Sequence, residues 1–176
     1  MLASQVLFLF IFSLITGLGV FVLLKDPANS INRRFCIFAF VLAIWILLNF
    51  YVHLATEPEI IVLRVRLVFC AAIFIPSTFF FFSSIFPDQV RKAIDRYLSI
   101  SFFFISTLLA FFSPSIVEEI AFEKNIPYAK YGPLFPAFWS YFMICMAYSL
   151  YSLYRKSVRY YGIKRLQVQY LYFGVA

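Results

Sequence analysis

Hydrophobic residues run along this chain in long stretches that charged residues interrupt at intervals. The stretch from Leu67 to Phe86 holds 20 residues without a charge, and comparable stretches lie on either side of it. An α-helix rises about 1.5 Å per residue, so about 20 apolar residues are needed to cross hydrocarbon about 30 Å thick. The pattern therefore predicts membrane-spanning helices, and the number of stretches predicts the number of crossings.

Five stretches are long enough to be complete spans, and a sixth is cut short where the sequence stops. The predicted spans cover residues 2–24, 35–55, 64–87, 97–117 and 133–154, and the incomplete sixth covers residues 166–176. The 11 residues of that last stretch reach about 16 Å, roughly half of the hydrocarbon layer. We therefore predict an all-α fold, a single polytopic transmembrane helix bundle over residues 1–176, and expect it to be a fragment of a longer protein.

The composition agrees with a membrane domain and argues against a soluble one. Hydrophobic residues make up 64% of the chain, charged residues 13%, and the mean hydropathy is +0.90, whereas about 25% of the residues of soluble domains are charged. The three cysteines each lie alone in a different predicted span, so neither a disulfide framework nor a zinc site is indicated. For the phenylalanine runs Phe79 to Phe82 and Phe102 to Phe104 we expect side chains that face lipid rather than the alternative, an aromatic ligand cage, because four consecutive positions cover every face of a helix and cannot form one lined surface.

The charges of the connections predict the orientation of the bundle. The first, third and fifth connections carry 11 basic residues and the opposite connections carry four. Because Lys and Arg concentrate in short cytoplasmic loops, we predict that the first, third and fifth connections face the cytoplasm and that the N-terminus is outside. A nucleic-acid-binding protein would cluster its basic residues on one solvated face, so we expect no nucleic-acid partner. We expect the bilayer itself to be the main partner.

Three connecting or interrupting features attract attention. Asn or Ser residues between Lys25 and Arg34 are suited to cap the second helix. Pro76 lies in the middle of the third span, where it removes a backbone hydrogen bond and is a candidate hinge, with a static kink as the alternative. The outer loop between the fourth and fifth spans is expected to contain a short helix over residues 115–122, and either binds an external ligand or is a passive connector.

Residues suited to catalysis are not grouped in this sequence. The interiors of the five spans contain no Asp, Glu, Lys or Arg, and no metal-binding, nucleophile or phosphate-loop motif occurs. We therefore predict no catalytic residue, no cofactor and no metal site, and a chain that is not an enzyme. The candidate ligand-binding or interhelical polar contacts are Asn49, Arg64, Arg66, Tyr141 and Tyr148. For the two tyrosines we favour packing between helices over a ligand pocket, and for the two arginines snorkelling to the interface explains the pattern equally well.

Several dispersed segments resemble one known family, the N-terminal seven-transmembrane region of bacterial sensor histidine kinases. They are Asn32-Arg33-Arg34-Phe35 leading to Trp45, Leu63-Arg64-Val65-Arg66 leading to Phe74-Ile75-Pro76-Ser77-Thr78-Phe79, Phe82-Ser83-Ser84-Ile85-Phe86-Pro87, and Gly162-Ile163-Lys164-Arg165-Leu166-Gln167 followed by Tyr170-Leu171 and Gly174. The resemblance implies an outside N-terminus, seven spans and cytoplasmic output domains beyond them. Related sequences often carry a histidine near the position of Phe81.

Two functions are consistent with the sequence. The resemblance implies a membrane-embedded sensory input module of a two-component system in the bacterial cytoplasmic (inner) membrane. It also implies a homodimer formed through the parent kinase and a cytoplasmic response regulator reached through domains absent from this chain. A chain without reactive groups suits this role, because signalling needs helices with two arrangements rather than chemistry. The alternative is a transporter or channel subunit, for which inverted repeats with paired broken helices are expected.

Overall fold

The computed structural model describes residues 2–54, 57–88, 93–123 and 126–175. Its helices are α1 (Leu2–Lys25), α2 (Ser30–Val52), α3 (Pro58–Ser83), α4 (Ala93–Phe111), α5 (Phe135–Arg159) and α6 (Gly162–Val175). Two strands, β1 (Val117–Glu123) and β2 (Ile126–Tyr131), pair as an antiparallel hairpin between α4 and α5. The predicted helical bundle is confirmed, and the hairpin adds a small β element to the expected all-α fold.

Most of the helices begin earlier than the stretches that predicted them, and α2, α3 and α4 also end earlier, at Val52, Ser83 and Phe111 rather than at 55, 87 and 117. For example, α3 begins at Pro58 rather than 64, and α6 begins at Gly162 rather than 166. A charged residue ends the hydrocarbon segment but not the helix, which continues into the polar interface. At the start of α2, Asn29 is the N-cap, because its side-chain oxygen accepts a 2.9 Å hydrogen bond from the backbone N–H of Ile31.

Membrane-spanning length and composition are met by four helices of the described chain, α1, α2, α3 and α4. Helix α5 is 25 residues long, but tyrosines and serines spread along it make it less apolar. The fifth complete span therefore stays a prediction. Among the basic residues counted to predict the orientation, Arg91, Lys92 and Lys124 lie outside the described residues.

Helix α3 is the centre of the bundle. It packs against α2, α4 and α5, while α1 packs on the other side of α2 and α6 packs on α5. Lys156 of α5 and Arg34 of α2 both bind the end of α3, so we call this end of the bundle the basic end. The opposite end carries the β-hairpin and is called the hairpin end. Because residues near both ends of α5 contact α3, α5 runs parallel to α3.

Two clusters of buried side chains form the core. The hairpin-side core contains Ile73, Phe80, Phe102, Ile116, Val117, Phe138, Tyr141 and Cys145, and the basic-side core contains Phe79, Phe82, Leu153 and Val168. The expectation that the run Phe79 to Phe82 faces lipid is therefore wrong. Phe79, Phe80 and Phe82 are at most 4% exposed, because α3 is surrounded by three helices and can bury several faces at once.

The connection after α4 is the second place where the structure differs from the prediction made from the sequence. The short helix expected over residues 115–122 is wrong, since residues Ser113–Ser115 form a 3-10 turn and β1 follows. The strands pair from Val117 opposite Tyr131 to Glu123 opposite Ile126, with an irregularity in the register between Val117 and Glu119. Gly132 then passes so close to the preceding turn that a Cβ atom would lie 2.2 Å from the carbonyl oxygen of Ser115. A glycine is required there.

A short turn joins α5 to α6 at the basic end. Gly162 has a φ of +61°, in the left-handed region that residues with a Cβ atom rarely adopt. This conformation reverses the chain within two residues of the end of α5, at Tyr160 and Tyr161. Helix α6 consequently folds back onto α5, and its buried Val168 joins the basic-side core.

Candidate functional site

The end of α3 is where charged side chains from neighbouring helices converge. The last carbonyl groups of a helix have no intrahelical partner and must be satisfied in another way. Lys156 of α5 reaches them, and its Nζ donates to the carbonyl oxygens of Ser83 at 2.7 Å, Ser84 at 2.8 Å and Phe86 at 2.7 Å. A lysine ammonium has three N–H donors, so this arrangement uses all of them. A positive charge at a helix C-terminus also interacts favourably with the helix dipole.

Arg34 of α2 binds the same segment from the other side. Its Nη1 donates to the carbonyl oxygen of Phe81 at 2.9 Å, and the guanidinium carbon lies 3.9 Å from the centroid of the Phe81 ring. A cation over an aromatic face is attracted by the ring quadrupole. Phe81 therefore contacts Arg34 through both its backbone carbonyl group and its ring.

Helix α6 is tied to the same place through Asp88, which follows α3. The carboxylate of Asp88 forms an ion pair with Lys164 in the first turn of α6. Hydrogen bonds from Lys164 and Tyr160 lower the pKa of Asp88 below its ordinary value. Burial, together with the Asp88 carboxylate that accepts its hydrogen bond, raises the pKa of Tyr160 to about 12. We call Arg34, Asp88, Lys156, Tyr160 and Lys164, with the end of α3 that they bind, the α3 junction.

Pro76, the candidate hinge, lies 10 residues before Phe86 and is almost fully buried. As a proline it has no N–H to donate to the carbonyl group one turn earlier. The hydroxyl groups of the next two residues support this region, because Ser77 donates to the carbonyl oxygen of Phe74 at 3.0 Å and Thr78 does so at 2.8 Å. The segment of α3 between Pro76 and the α3 junction is therefore bounded by a weakened turn and by a set of charged contacts.

Beside Pro76, three helices share a buried polar cluster. The Ser106 Oγ of α4 lies 2.6 Å from the Tyr141 hydroxyl oxygen of α5 and 3.1 Å from the Ser77 Oγ of α3. Tyr141 also reaches the carbonyl oxygen of Phe102 at 3.0 Å. Hydrogen bonds between helices hold them in register where no water is available. The structure thus places Tyr141 in a polar contact between helices, which is the interpretation that the sequence favoured.

The remaining candidate residues lie apart from this cluster. Tyr148 is half-buried and its ring packs edge-on against Phe80, with the centroids 5.4 Å apart. Asn49 donates to the carbonyl oxygen of Trp45 at 2.8 Å, one turn earlier in its own helix rather than in a neighbouring one. The buried face of α5 continues from Cys145 through Ser149 and Leu153 to Ser157.

Arg64 and Arg66 are both at the hairpin end, where each binds backbone carbonyl groups. Arg66 donates from Nε to Val117 at 2.9 Å and from Nη2 to Glu118 at 2.7 Å, which fixes β1 to α3. Arg64 donates to the carbonyl oxygen of Tyr51 and lies over the Tyr51 ring. These contacts join secondary-structure elements to one another, and the ligand-binding role considered for the two arginines stays a prediction.

The sequence did not identify Lys156, Arg34, Asp88 or Ser106 as interacting residues. Their partners are mainly backbone carbonyl groups and residues 29 to 76 positions away in the chain, and such contacts leave no local motif. The one available signal was the spacing of Cys145, Ser149, Leu153 and Ser157, which continues the face of α5 toward Lys156. Within the described residues, no group of three or more His, Cys, Asp or Glu is placed to hold a metal ion.

Comparison with known proteins identifies the family. The model of the family described as the N-terminal 7TM region of histidine kinase matches residues 7–176. No curated protein and no solved structure matches the chain. The match covers nearly the whole sequence, including all segments that carried the resemblance and the whole α3 junction. The chain is therefore an integral membrane protein that belongs to the family of N-terminal seven-transmembrane regions of histidine kinases.

Proposed function

We propose that this chain is the membrane-embedded sensory input module of a two-component histidine kinase in the bacterial inner membrane. It receives an external or membrane-borne stimulus and passes a displacement of its helices to a cytoplasmic output domain outside this chain. The α3 junction is the observation that carries the proposal. There a few polar side chains connect the end of α3 to α2, α5 and α6.

The charge distribution supports a cytoplasmic basic end. Of the 15 basic residues, 11 belong to connections at this end and four to the opposite one, in agreement with the concentration of Lys and Arg in cytoplasmic loops. The N-terminus is then outside. The packing of α5 supports a fifth complete span. Near the start of α5, the ring centroid of Phe135 lies 6.3 Å from that of Phe69 in α3, and near the end of α5, Lys156 binds Ser83. A helix that follows a spanning helix over this length crosses the same hydrocarbon.

The relay requires two arrangements of α3 and its neighbours. A switch between packed states is characteristic of signalling proteins, since cores and interfaces change discretely rather than continuously. Pro76 weakens the α3 hydrogen-bond ladder, and the junction beyond it is held by polar bonds that can exchange partners. Movement of the segment between them changes the position of α6 through the Asp88 to Lys164 ion pair. The parent kinase acts as a homodimer and phosphorylates a response regulator.

The proposal is tested by autophosphorylation of the intact kinase that carries this region, reconstituted in liposomes. Lys156→Met removes all three bonds to the end of α3, and we expect it to change the basal autophosphorylation rate severalfold. Arg155→Met is the matched control, since Arg155 is exposed and its guanidinium lies 5.8 Å from the Tyr151 ring centroid. Equal rates for both variants and the unmodified kinase would contradict the relay. Solute flux through the same liposomes would favour the transporter alternative.

The role of Pro76 has its own test. Pro76→Ala restores an N–H donor in the middle of α3 and stiffens it. We expect the substitution to reduce the response of autophosphorylation to stimulation while leaving the protein folded. Ala72→Ser, one turn earlier in α3, serves as a control for a small change at a partly buried position. An unchanged response in Pro76→Ala would remove Pro76 as the hinge but leave the α3 junction as the relay.

A further inference from the structure

A groove of about 770 Å³ opens on the membrane-facing side of α3, between α2 and α4. Its volume lies within the range of sites that hold small organic ligands. The floor is formed by Ser77, Thr78 and Phe81 of α3, one wall by Ile37 of α2, and the other wall by α4. The α4 residues in the wall are Arg96, Ser99, Ile100, Phe103, Phe104 and Thr107. Their spacing places them on one face of the helix.

The length of the groove matches one leaflet of a bilayer. From Arg96 to Thr107 the wall covers 11 residue steps, which correspond to about 16 Å along the helix, roughly half of a hydrocarbon layer 30 Å thick. Arg96 lies in the first turn of α4 at the basic end, and Thr107 lies in its last turn and a half. A transmembrane helix from another protein needs the full thickness of the membrane. An acyl chain from the leaflet at the basic end needs only this half.

The side chains that line the groove favour a ligand with an apolar chain. The hydroxyl groups that line it all donate to carbonyl groups of their own helices, as Ser99 does to Asp95 at 2.7 Å and Thr107 to Phe103 at 3.0 Å. Ser77 and Thr78 donate in the same way. These side chains therefore present methyl, methylene and acceptor atoms to the groove rather than donors, and a sugar or peptide would lose hydrogen bonds by entering it. Isoleucine and phenylalanine side chains complete the apolar lining.

The charge of the groove selects an anionic head group. Among the described residues that line it, Arg96 is the charged one, and it lies at the end where the groove meets the membrane surface. An arginine guanidinium binds phosphate oxygens through two parallel N–H groups. We propose that this groove is a binding site for an anionic phospholipid of the leaflet at the basic end, with one acyl chain between α2 and α4 and its phosphate at Arg96. Binding there does not depend on the chain having a signalling role.

The proposed lipid would contact the α3 segment between Pro76 and the α3 junction. Phe81 lines the groove and at the same time carries the Arg34 guanidinium on its ring, 3.9 Å from the centroid. Thr78 and Ser77 lie immediately after Pro76. An acyl chain in the groove therefore packs on Ser77, Thr78 and Phe81. Through Phe81 it also contacts the α3 junction, because Arg34 lies on the Phe81 ring.

Photolabelling in defined bilayers tests the site. The purified chain is reconstituted in phosphatidylcholine vesicles that contain 1 mol% of phosphatidylglycerol with a diazirine in one acyl chain, and adducts are mapped by mass spectrometry. We expect adducts on Ile37, Ile100 and Phe103 in excess over exposed apolar residues of α1 such as Phe10 and Phe21. A phosphatidylcholine probe at the same concentration should label these residues about fivefold less, because its head group carries no net negative charge. Equal labelling of the groove by the two probes, or crosslinks to a second copy of the chain, would overturn the proposal.

Two pairs of variants separate the head group from the acyl chain. Arg96→Gln should lower groove labelling by phosphatidylglycerol about fivefold, because one basic residue near an anionic lipid contributes about 1 kcal/mol. Arg33→Gln removes an exposed charge from the same end and should leave labelling unchanged. Ile100→Trp fills the groove from its rim and should abolish labelling, whereas Leu108→Trp, on an exposed part of α4 outside the groove, should not. If Arg96→Gln behaves like Arg33→Gln, the site does not recognise the head group and the proposal fails.

Discussion

The two ends of the bundle use the same kind of contact for different purposes. At the hairpin end, Arg66 donates to carbonyl groups of Val117 and Glu118. At the basic end, Lys156 donates to carbonyl groups of Ser83, Ser84 and Phe86. In both places a long cationic side chain satisfies backbone oxygen atoms that have no partner in their own element. The difference lies in what surrounds each contact.

At the hairpin end the cation is supported by close packing. The Tyr131 and Phe135 rings stack with their centroids 4.0 Å apart, and Gly132 leaves no room for a side chain beside Ser115. At the basic end, polar bonds add to the packing of the basic-side core in connecting α2, α3, α5 and α6. Packed surfaces resist gradual displacement, whereas a few polar bonds can break and re-form. From this comparison we expect the hairpin end to be the fixed part of the bundle and the basic end to be the adjustable part.

The largest effect on stability is expected from Gly132→Ala, which introduces a steric clash at the fixed end. The new Cβ atom would lie 2.2 Å from the backbone oxygen of Ser115, which cannot move aside as a flexible side chain does. We expect a loss of about 3 kcal/mol in the free energy of unfolding, measured by thermal unfolding in detergent. Gly17→Ala is the control, since a Cβ atom there has nothing within 4 Å. If the two variants unfold alike, the hairpin end is not sterically fixed.

The next effect is expected from Lys156→Met at the adjustable end. Hydrogen bonds that involve a charged group contribute about 1.5 to 3 kcal/mol, and the substitution leaves three carbonyl oxygens without this donor. We expect about 2 kcal/mol of destabilisation in the same unfolding assay, together with faster amide exchange at the start of α6. Lys156→Arg keeps the charge and should recover part of the loss. A variant as stable as the unmodified chain would show that packing alone holds this end.

A smaller and more local effect is expected from Arg66→Gln. The substitution removes both bonds to β1 but leaves the stacked aromatic rings in place. We expect a cost of about 1 kcal/mol, seen as faster hydrogen exchange in β1 and β2, with the exchange of α3 and α5 unchanged. Arg64→Gln, which affects a contact with Tyr51 instead, should leave the hairpin protected. Loss of protection throughout α3 would mean that the two ends are not independent.

The sequence predicted the parts of this molecule that depend on local properties. Uncharged stretches located every helix, and the polar turn before α2 indicated its cap, which Asn29 provides. Residues 115–122 were interpreted wrongly, because Val117, Ile120 and Ala121 also fit one face of a short helix. The strand forms because β2 pairs with it and Arg66 binds it. Arg66 lies 51 positions before Val117, and β2 comes after β1, so neither partner is part of the segment 115–122. The α3 junction was missed for the same reason, since its bonds go to backbone atoms.

The smallest effect concerns the pH dependence of the adjustable end. The pKa of Asp88 is lowered in the folded chain, so the carboxylate stabilises the fold above the unfolded pKa, and this stabilisation is lost as the pH falls through the folded pKa. Because the Lys164 side chain is 58% exposed, solvent screening limits the ion pair to about 0.5 kcal/mol.

The pKa of Tyr160 is raised to about 12, mainly by burial and further by Asp88. Its neutral form therefore contributes stability below the ordinary tyrosine pKa near 10, which is lost as the pH rises toward 12. Asp88→Asn should remove the loss of stability at acid pH and should lower the pKa of Tyr160. The titration of Tyr160 is measured as phenolate absorbance, and the absorbance of the same chain with Tyr160→Phe is subtracted from it. An unaltered Tyr160 titration would separate the residue from the contacts that hold α6 to the end of α3.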